Sequence, residues 1–157
     1  MAVSPLAVAK YFIERAAPSD DLTPMKLVKL CYIAHGWHLA LREDPLSSEP
    51  AQAWKYGPVF PSVYYEFKHY GRDRIPRYEA DSISTRPVRS GDTEAILEKV
   101  YKEYRHFDGL QLSTLTHKKG TPWYKVWYEQ GGKSERGAEI PNALIEEHYR
   151  DFVYARH

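Results

Sequence analysis

The chain has 157 residues, with 22 lysines and arginines against 21 aspartates and glutamates, and a single cysteine, Cys31. A chain of this length is typical of one domain with a sizeable core, and one cysteine excludes an intramolecular disulfide. The formal net charge of +1 provides no global field that would steer the protein onto nucleic acid or an anionic membrane. Because neither a signal segment nor an apolar run of about 18 residues occurs, we expect a cytoplasmic protein.

Aromatic residues are unusually frequent, with 13 tyrosines and 4 tryptophans. These side chains combine a large apolar area with a polar tip, and they therefore suit surfaces that are alternately wet and covered by a partner. Aromatic residues also fill the cores of small domains, so composition leaves both roles open for any one of them.

Three hydroxyl residues followed by proline mark helix starts, at Ser4-Pro5, Thr23-Pro24 and Thr121-Pro122. Each pair places a side-chain acceptor at the N-cap and a proline at the first helical position, where the missing N–H costs nothing. The first pair predicts a helix over residues 5–16, and the second predicts a helix over residues 24–42 with an apolar stripe. Because only a short turn separates them, the two helices should pack together.

The periodicity changes between residues 46 and 60, where small apolar residues alternate with Trp54 and Tyr56. A period of two predicts a short strand or extended arm, and Gly57-Pro58 ends the run as a turn would. A brief helix is then expected over residues 61–70, with a glycine as its C-terminal cap.

Residues 71–91 show no helical period and contain five arginines and two prolines. A loop this long in a small domain is usually either functional or mobile. One interpretation is a solvated loop with a short extended ribbon around residues 83–88, and the other is a contact arm for an acidic partner. In the second interpretation Arg72 and Arg74 contact the partner.

Four further helical patterns occupy the rest of the chain, over residues 92–106, 109–117, 122–129 and 141–154. Asp92 or Thr93 is the expected cap of the first of them, and Gly131 begins a flexible stretch. We therefore predict a single domain over residues 1–157. Its fold class is mainly α, a compact bundle of six or seven helices with a short extended arm or small β element around residues 50–60 and 83–88.

The sharpest candidate for a metal or catalytic site is Cys31, His35 and His38, which helical spacing places within roughly 60° of one face. The same face carries the apolar packing stripe, and the helix adds no carboxylate or second cysteine that would close a tetrahedral site. Core packing with hydrogen-bonded histidines is the favoured interpretation. We expect no metal, no cofactor and no catalytic residue.

Two other motifs are weaker. Gly132-Lys133-Ser134 resembles the end of a phosphate-binding loop, but Trp127 occupies a position where that loop requires glycine. His117 and Asp108 have no neighbouring nucleophile, so capping or partner contact is the expected role of His117. An enzyme is therefore not predicted.

Three segments carry a family resemblance when taken together, namely residues 22–38 (LTPMKLVKLCYIAHGWH), 53–59 (AWKYGPV) and 115–123 (LTHKKGTPW). In this order they resemble the Panacea domain, the SocA-like antitoxin family that also includes phage-associated proteins of the GepA type. The resemblance extends over roughly residues 5–130.

The resemblance implies a cytoplasmic antitoxin of a bacterial or prophage toxin–antitoxin system, which neutralises a cognate protein toxin by direct contact. One family member is instead a proteolytic adaptor that delivers its toxin to a Clp protease. Sequestration and delivery therefore both stay open. We expect no appended DNA-binding or degradation module.

Aromatic residues at extended segments and helix starts supply a hypothesis for the contact surface. We expect residues 54–59 and 117–123 to lie side by side and to hold the partner through aromatic anchors, with loop arginines contributing charge complementarity. The candidate contact residues are Trp54, Tyr56, Pro58, Tyr64, Tyr65, Arg72, Arg74, His117, Trp123 and Trp127. Core packing is the alternative for Trp54 and Trp123, because glycine and proline beside tryptophan also mark internal turns.

A nucleic-acid-binding regulator is the runner-up class of protein. The first helix, a short turn and a proline-capped second helix followed by a basic loop together outline a helix-turn-helix unit. The near-neutral charge and the apolar stripe of the second helix argue against it. Nucleic acid and membranes are therefore not expected partners, and the sequence does not predict an oligomeric state.

Overall fold

The computed structural model describes residues 2–155, which form helices and one small sheet. Over these residues the helices are α1 (Pro5–Arg15), α2 (Pro24–Arg42), α3 (Pro61–Phe67), α4 (Gly91–Tyr104), α5 (Gly109–His117), α6 (Pro122–Tyr124) and α7 (Asn142–Ala155). Helix α6 continues as a π-helical turn over Lys125–Glu129. Shorter 3-10 turns cover Pro18–Asp20, Lys68–Tyr70, Arg77–Ser82 and Gly132–Ser134. The predicted mainly α class is confirmed.

The three helix starts predicted from hydroxyl–proline pairs are also confirmed. The Ser4 hydroxyl accepts a hydrogen bond from the N–H of Leu6 at 3.2 Å, and the Thr23 and Thr121 hydroxyls cap α2 and α6 in the same way. Each hydroxyl satisfies one of the backbone donors that a helix leaves unpaired at its N-terminus.

Helix α2 lies at the centre of the fold and packs against α1, α4, α5 and α7. Residues 26–40 are all buried, so the predicted single apolar stripe is too narrow a description. Four surrounding elements leave this helix no solvent-facing side. The helix-turn-helix alternative is therefore wrong, because a recognition helix has to present an exposed face to a DNA groove.

The sheet has three antiparallel strands in the order β2-β1-β3, namely β1 (Ala51–Trp54), β2 (Gly57–Val59) and β3 (Ala138–Ile140). Ala53 pairs with Pro58 across the β1–β2 hairpin, and Ala51 pairs with Ile140 on the other side. The β element predicted around residues 50–60 is confirmed, whereas β3 was not predicted.

Residues 83–88 were predicted as an extended arm or a small β element, and the β alternative is wrong. These residues have no regular structure and pair with no strand within residues 2–155. The side chains of Ile83 and Val88 are buried in the core. Their burial explains the apolar residues of this segment without any pairing between strands. Helix α4 also begins earlier than expected, because the hydroxyl of Ser90, and not Asp92 or Thr93, caps it.

Helix length and hydropathy show whether a helix could span a membrane. Within residues 2–155, none of the helices combines the length and the apolar composition that crossing a bilayer requires.

Candidate functional site

Three helices hold the β1–β2 hairpin through hydrogen bonds to alternate backbone carbonyls. The pairs are Trp123 Nε1 to the Trp54 carbonyl at 2.6 Å, Ser113 Oγ to the Tyr56 carbonyl at 2.7 Å and Lys29 Nζ to the Pro58 carbonyl at 2.7 Å. The expected contact between residues 54–59 and 117–123 is present at the bond from Trp123 to Trp54. The backbone of the hairpin is fixed while several of its side chains stay accessible.

Three aromatic rings form a cluster where the hairpin meets α3. The Trp54 ring centroid lies 5.1 Å from that of Tyr64 and 5.9 Å from that of Tyr65, and both contacts are edge-on. The Trp54 indole N–H donates to the side chain of Gln52 at 2.8 Å, so its polar atom is already satisfied. Tyr65 is 58% exposed and Tyr56, at the hairpin turn, is 62% exposed.

A second ring cluster surrounds α6. Trp123 is only 2% exposed and stacks on half-buried Trp127, with ring centroids 5.3 Å apart. The His117 ring contacts Trp123 edge-on, and its Nδ1 hydrogen-bonds the carbonyl of Ser113. Trp123 is thus a core residue that positions its neighbours, and Pro58 is likewise buried. Both were predicted as contact residues, and in this geometry they support the surface from beneath.

Five of the predicted contact residues carry rings that line two neighbouring clefts, and we call them the aromatic surface: Trp54, Tyr56, Tyr64, Tyr65 and Trp127. Two clefts adjoin it, and Trp54 and Lys55 line both of them. The larger, about 720 Å³, is the Trp127 cleft, which Tyr65 and Trp127 also line. The smaller, about 330 Å³, is the Lys29 pocket, which Tyr56, Tyr64 and Lys29 also line.

The basic residues at these clefts differ from the predicted ones. Arg72 and Arg74 are exposed, and the Arg74 guanidinium donates to the carbonyl of Pro18, in the turn between α1 and α2, at 3.0 Å. The cations that line the clefts are Lys29, Lys55, Lys68 and Arg136. Sequence reasoning missed them, although a lysine between Trp54 and Tyr56 was a usable signal.

The histidines of α2 are core residues, as the sequence predicts. Nδ1 of His35 accepts the N–H of Ser47 at 3.2 Å, and its Nε2 donates to the Asn142 side chain at 2.9 Å. His38 hydrogen-bonds the Asp44 carbonyl through Nδ1 and the Thr93 hydroxyl through Nε2. Burial lowers the pKa of His35 to about 4.

The thiol of Cys31 is buried beside them, and burial raises its pKa. Within residues 2–155, the His, Cys, Asp and Glu side chains form no group of three or more that could hold a metal ion. Asp108 caps the N-terminus of α5, whereas His117 is the last residue of that helix, so the two do not form an acid–base pair.

A family model described as "Antitoxin SocA-like, Panacea domain" matches residues 27–124, which is more than half of the chain. The chain belongs to this family. It is also 30% identical over 156 residues to the antitoxin SocA of Caulobacter vibrioides (strain NA1000 / CB15N), an alignment that covers 92% of this chain and 81% of SocA. No solved structure matches it. Family membership supports an antitoxin role.

Proposed function

We propose that this protein is an antitoxin that neutralises a cognate protein toxin in the cytoplasm by binding it directly through the aromatic surface. The observation that carries the proposal is the position of that surface. Four of its five residues, Trp54, Tyr56, Tyr64 and Tyr65, fall within the segment that matches the antitoxin family model.

The physical character of the surface supports this proposal. Tyrosine and tryptophan are enriched among the residues that contribute most of the free energy of protein interfaces. Hydrogen bonds from α2, α5 and α6 fix the hairpin that presents two of these rings, so little conformational entropy is lost when a partner binds.

The first test is co-expression with the protein encoded by the adjacent open reading frame. We expect that protein to arrest growth on its own, and we expect this chain to restore growth and to co-purify with it. Direct masking requires contact alone, so rescue should persist in a host that lacks Clp protease. A neighbour that is not toxic, or toxicity that this chain does not relieve, contradicts the proposal.

Tyr56 is the sharpest single-residue test of the surface. Tyr56→Ala should raise the Kd for the toxin by about thirtyfold, which corresponds to about 2 kcal/mol, because it removes an exposed anchor at a fixed turn. Titration calorimetry with purified toxin measures this change. Tyr154→Ala is the matched control, since Tyr154 is 55% exposed on α7, away from the hairpin. Equal Kd values for the two folded variants would exclude Tyr56 from the interface.

A further inference from the structure

Lys29 on α2 is buried, with 3% of its surface exposed, yet it lines the Lys29 pocket. Its Nζ donates one hydrogen bond, to the Pro58 carbonyl at 2.7 Å. An ammonium group has three N–H donors. Within residues 2–155, the other two have no hydrogen-bond acceptor.

Lys26, nearly one turn earlier on the same helix, is a buried lysine that has acceptors for two of its three N–H donors. Its Nζ donates to the carbonyls of Asp20 and Arg105, both at 2.6 Å. Those two acceptors come from the segments that precede α2 and follow α4. Lys26 therefore has a structural role within the chain, whereas two of the three N–H donors of Lys29 lack an acceptor among residues 2–155.

The backbone of Gly57 lies close to the amine of Lys29. A Cβ added at Gly57 would lie 3.0 Å from Nζ and 3.3 Å from Cε of Lys29, so any other residue would crowd the amine at the hairpin turn. The backbone of Gly57 also has a φ of +116°, a conformation that side-chain-bearing residues rarely adopt. The turn is thus shaped so that its backbone approaches Lys29 closely.

The walls of the pocket are apolar and its charges have one sign. Lys55 and Lys68 join Lys29 in the lining, and no aspartate or glutamate of residues 2–155 lines the pocket. Lys55 Nζ lies 5.5 Å from the ring centroid of Tyr56, and Lys68 Nζ lies 5.0 Å from that of Tyr65. Charge complementarity therefore favours an apolar occupant that carries one carboxylate.

We propose that the Lys29 pocket binds an acidic side chain of the partner toxin, carried on an apolar segment, whose carboxylate accepts the two remaining N–H groups of Lys29. This inference rests on the proposed function and specifies the chemistry of the toxin segment. An ammonium buried without a counter-charge is costly, and a carboxylate held in good geometry offsets that cost.

Burial lowers the pKa of Lys29 to about 7, and a bound carboxylate would raise it again. The other titratable side chains lining the pocket are Lys55, Tyr56, Tyr64 and Lys68, while the hydroxyl of Thr116 on α5 lies close to Gly57. At pH 8 the amine is mainly neutral in the unbound protein, so binding of a carboxylate should take up a proton.

The test uses two peptides that differ by a single charge, N-acetyl-Leu-Glu-Phe-amide and N-acetyl-Leu-Gln-Phe-amide, titrated into the full chain by NMR. At pH 6.5 the glutamate peptide should bind at least tenfold more tightly than the glutamine peptide. The preference should fall by pH 9, as Lys29 loses its proton. Equal binding of the two peptides, or binding of neither, would overturn the proposal.

Two variants assign the preference to Lys29. Lys29→Met keeps an unbranched side chain without a charge, and it should bind both peptides equally. Lys26→Met is the matched control, which removes the other buried amine of α2 and should retain the preference for the glutamate peptide. A preference that survives in Lys29→Met overturns the assignment. If Lys29→Met does not fold, the test is proton uptake by the wild-type chain when the glutamate peptide binds, measured calorimetrically at pH 8 in two buffers. Absence of proton uptake would overturn the proposal.

The peptide experiment and the co-expression experiment fail independently. Growth rescue without a peptide preference would reject the pocket and leave the proposed function intact. A peptide preference without growth rescue would reject the proposed function and leave the carboxylate site intact. In a purified toxin complex, Lys29→Met should raise the Kd at least tenfold, and an unchanged Kd would overturn the proposal.

Discussion

His35 shows how the buried surroundings of a side chain fix its protonation state. Nδ1 accepts the backbone N–H of Ser47, so the ring proton resides on Nε2, where it is donated to the Asn142 side chain. A second proton, on Nδ1, would face the N–H of Ser47. The ring is 1% exposed and is therefore neutral in the folded protein near neutral pH.

This protonation state predicts loss of stability in acid. The pKa of His35 is about 4 in the folded protein and about 6.5 in an unfolded chain, so between these values only the unfolded chain binds the proton. The full free energy of unfolding is present above pH 6.5, and about 3 kcal/mol of it should be lost as the pH falls to 4. Urea titrations at pH 7 and pH 4.5 measure the loss.

The exposed His69 provides the control for this prediction. His69→Gln should retain the acid-dependent loss of stability, since His69 is not part of the buried network. NMR of the His35 ring gives a direct reading. A ring that titrates near pH 6.5 would show that burial has not lowered its pKa.

Residue type alone could not separate exposed aromatic residues from buried ones. Trp54 and Trp123 both lie near glycine and proline, and both are candidate contact residues by sequence. Trp123 is covered because Trp127 stacks on it, His117 contacts its edge and its N–H is used by the Trp54 carbonyl. The bond to the Trp54 carbonyl depends on how two distant segments meet, which local sequence does not encode.

At the scale of elements, the contact between α2 and α7 depends on the absence of a side chain. Gly36 lies within α2, and a Cβ at that position would lie 2.2 Å from the ring of Tyr149 on α7. Real atoms do not approach so closely, so the ring occupies space that only glycine leaves. The close approach of these two helices therefore requires glycine at position 36.

Gly36→Ala should accordingly destabilise the protein by about 3 kcal/mol, because overpacking at a tight contact forces the ring or the helix to move. Thermal and urea unfolding followed by circular dichroism measure the change. Gly91→Ala is the matched control, since an added Cβ at the first residue of α4 meets nothing within 4 Å. A loss in Gly36→Ala no larger than in the control would contradict the packing argument.

The helix starts were predictable because their signal is local, whereas the sheet was predictable only in part. Ser4, Thr23 and Thr121 cap helices through hydrogen bonds to residues two or three positions later. The three residues of β3 are too few to show a period, and the strand exists because it pairs with β1, far earlier in the chain. Residues 83–88 show the opposite case. Their apolar residues are spaced as in a strand, but the segment pairs with no other strand within residues 2–155.

At the scale of the whole molecule, a net charge of +1 conceals an uneven local distribution. Lys55 and Lys68 lie at the Lys29 pocket, and both stack over tyrosine rings. A local positive patch attracts an acidic partner over distances of about a Debye length, even when the overall charge is nearly balanced. The sequence predicts this local charge at Arg72 and Arg74, whereas the cations that line the pocket are Lys29, Lys55 and Lys68.

Reversing these two charges should slow association with the toxin. The double variant Lys55→Glu and Lys68→Glu is expected to lower the association rate constant by about tenfold at low salt, with a smaller effect at high salt. Stopped-flow mixing at two ionic strengths measures it. The control variant Lys99→Glu and Lys102→Glu changes the net charge equally, on exposed positions of α4. If both double variants slow association equally, overall charge and not the patch is responsible.

The π-helical turn at Lys125–Glu129 has a consequence for how such a surface diversifies. Its hydrogen bond from the N–H of Gln130 to the carbonyl of Lys125 spans one residue more than an α-helical bond does. Losing one codon within this turn would restore α-helical geometry and shift the helical register beyond it by about 100°. If the lost codon is that of Trp127 or of a residue before it in the turn, a different residue would take the place of Trp127 at the cleft beside Trp54. At this edge, a single deletion can therefore change which side chain lines the cleft.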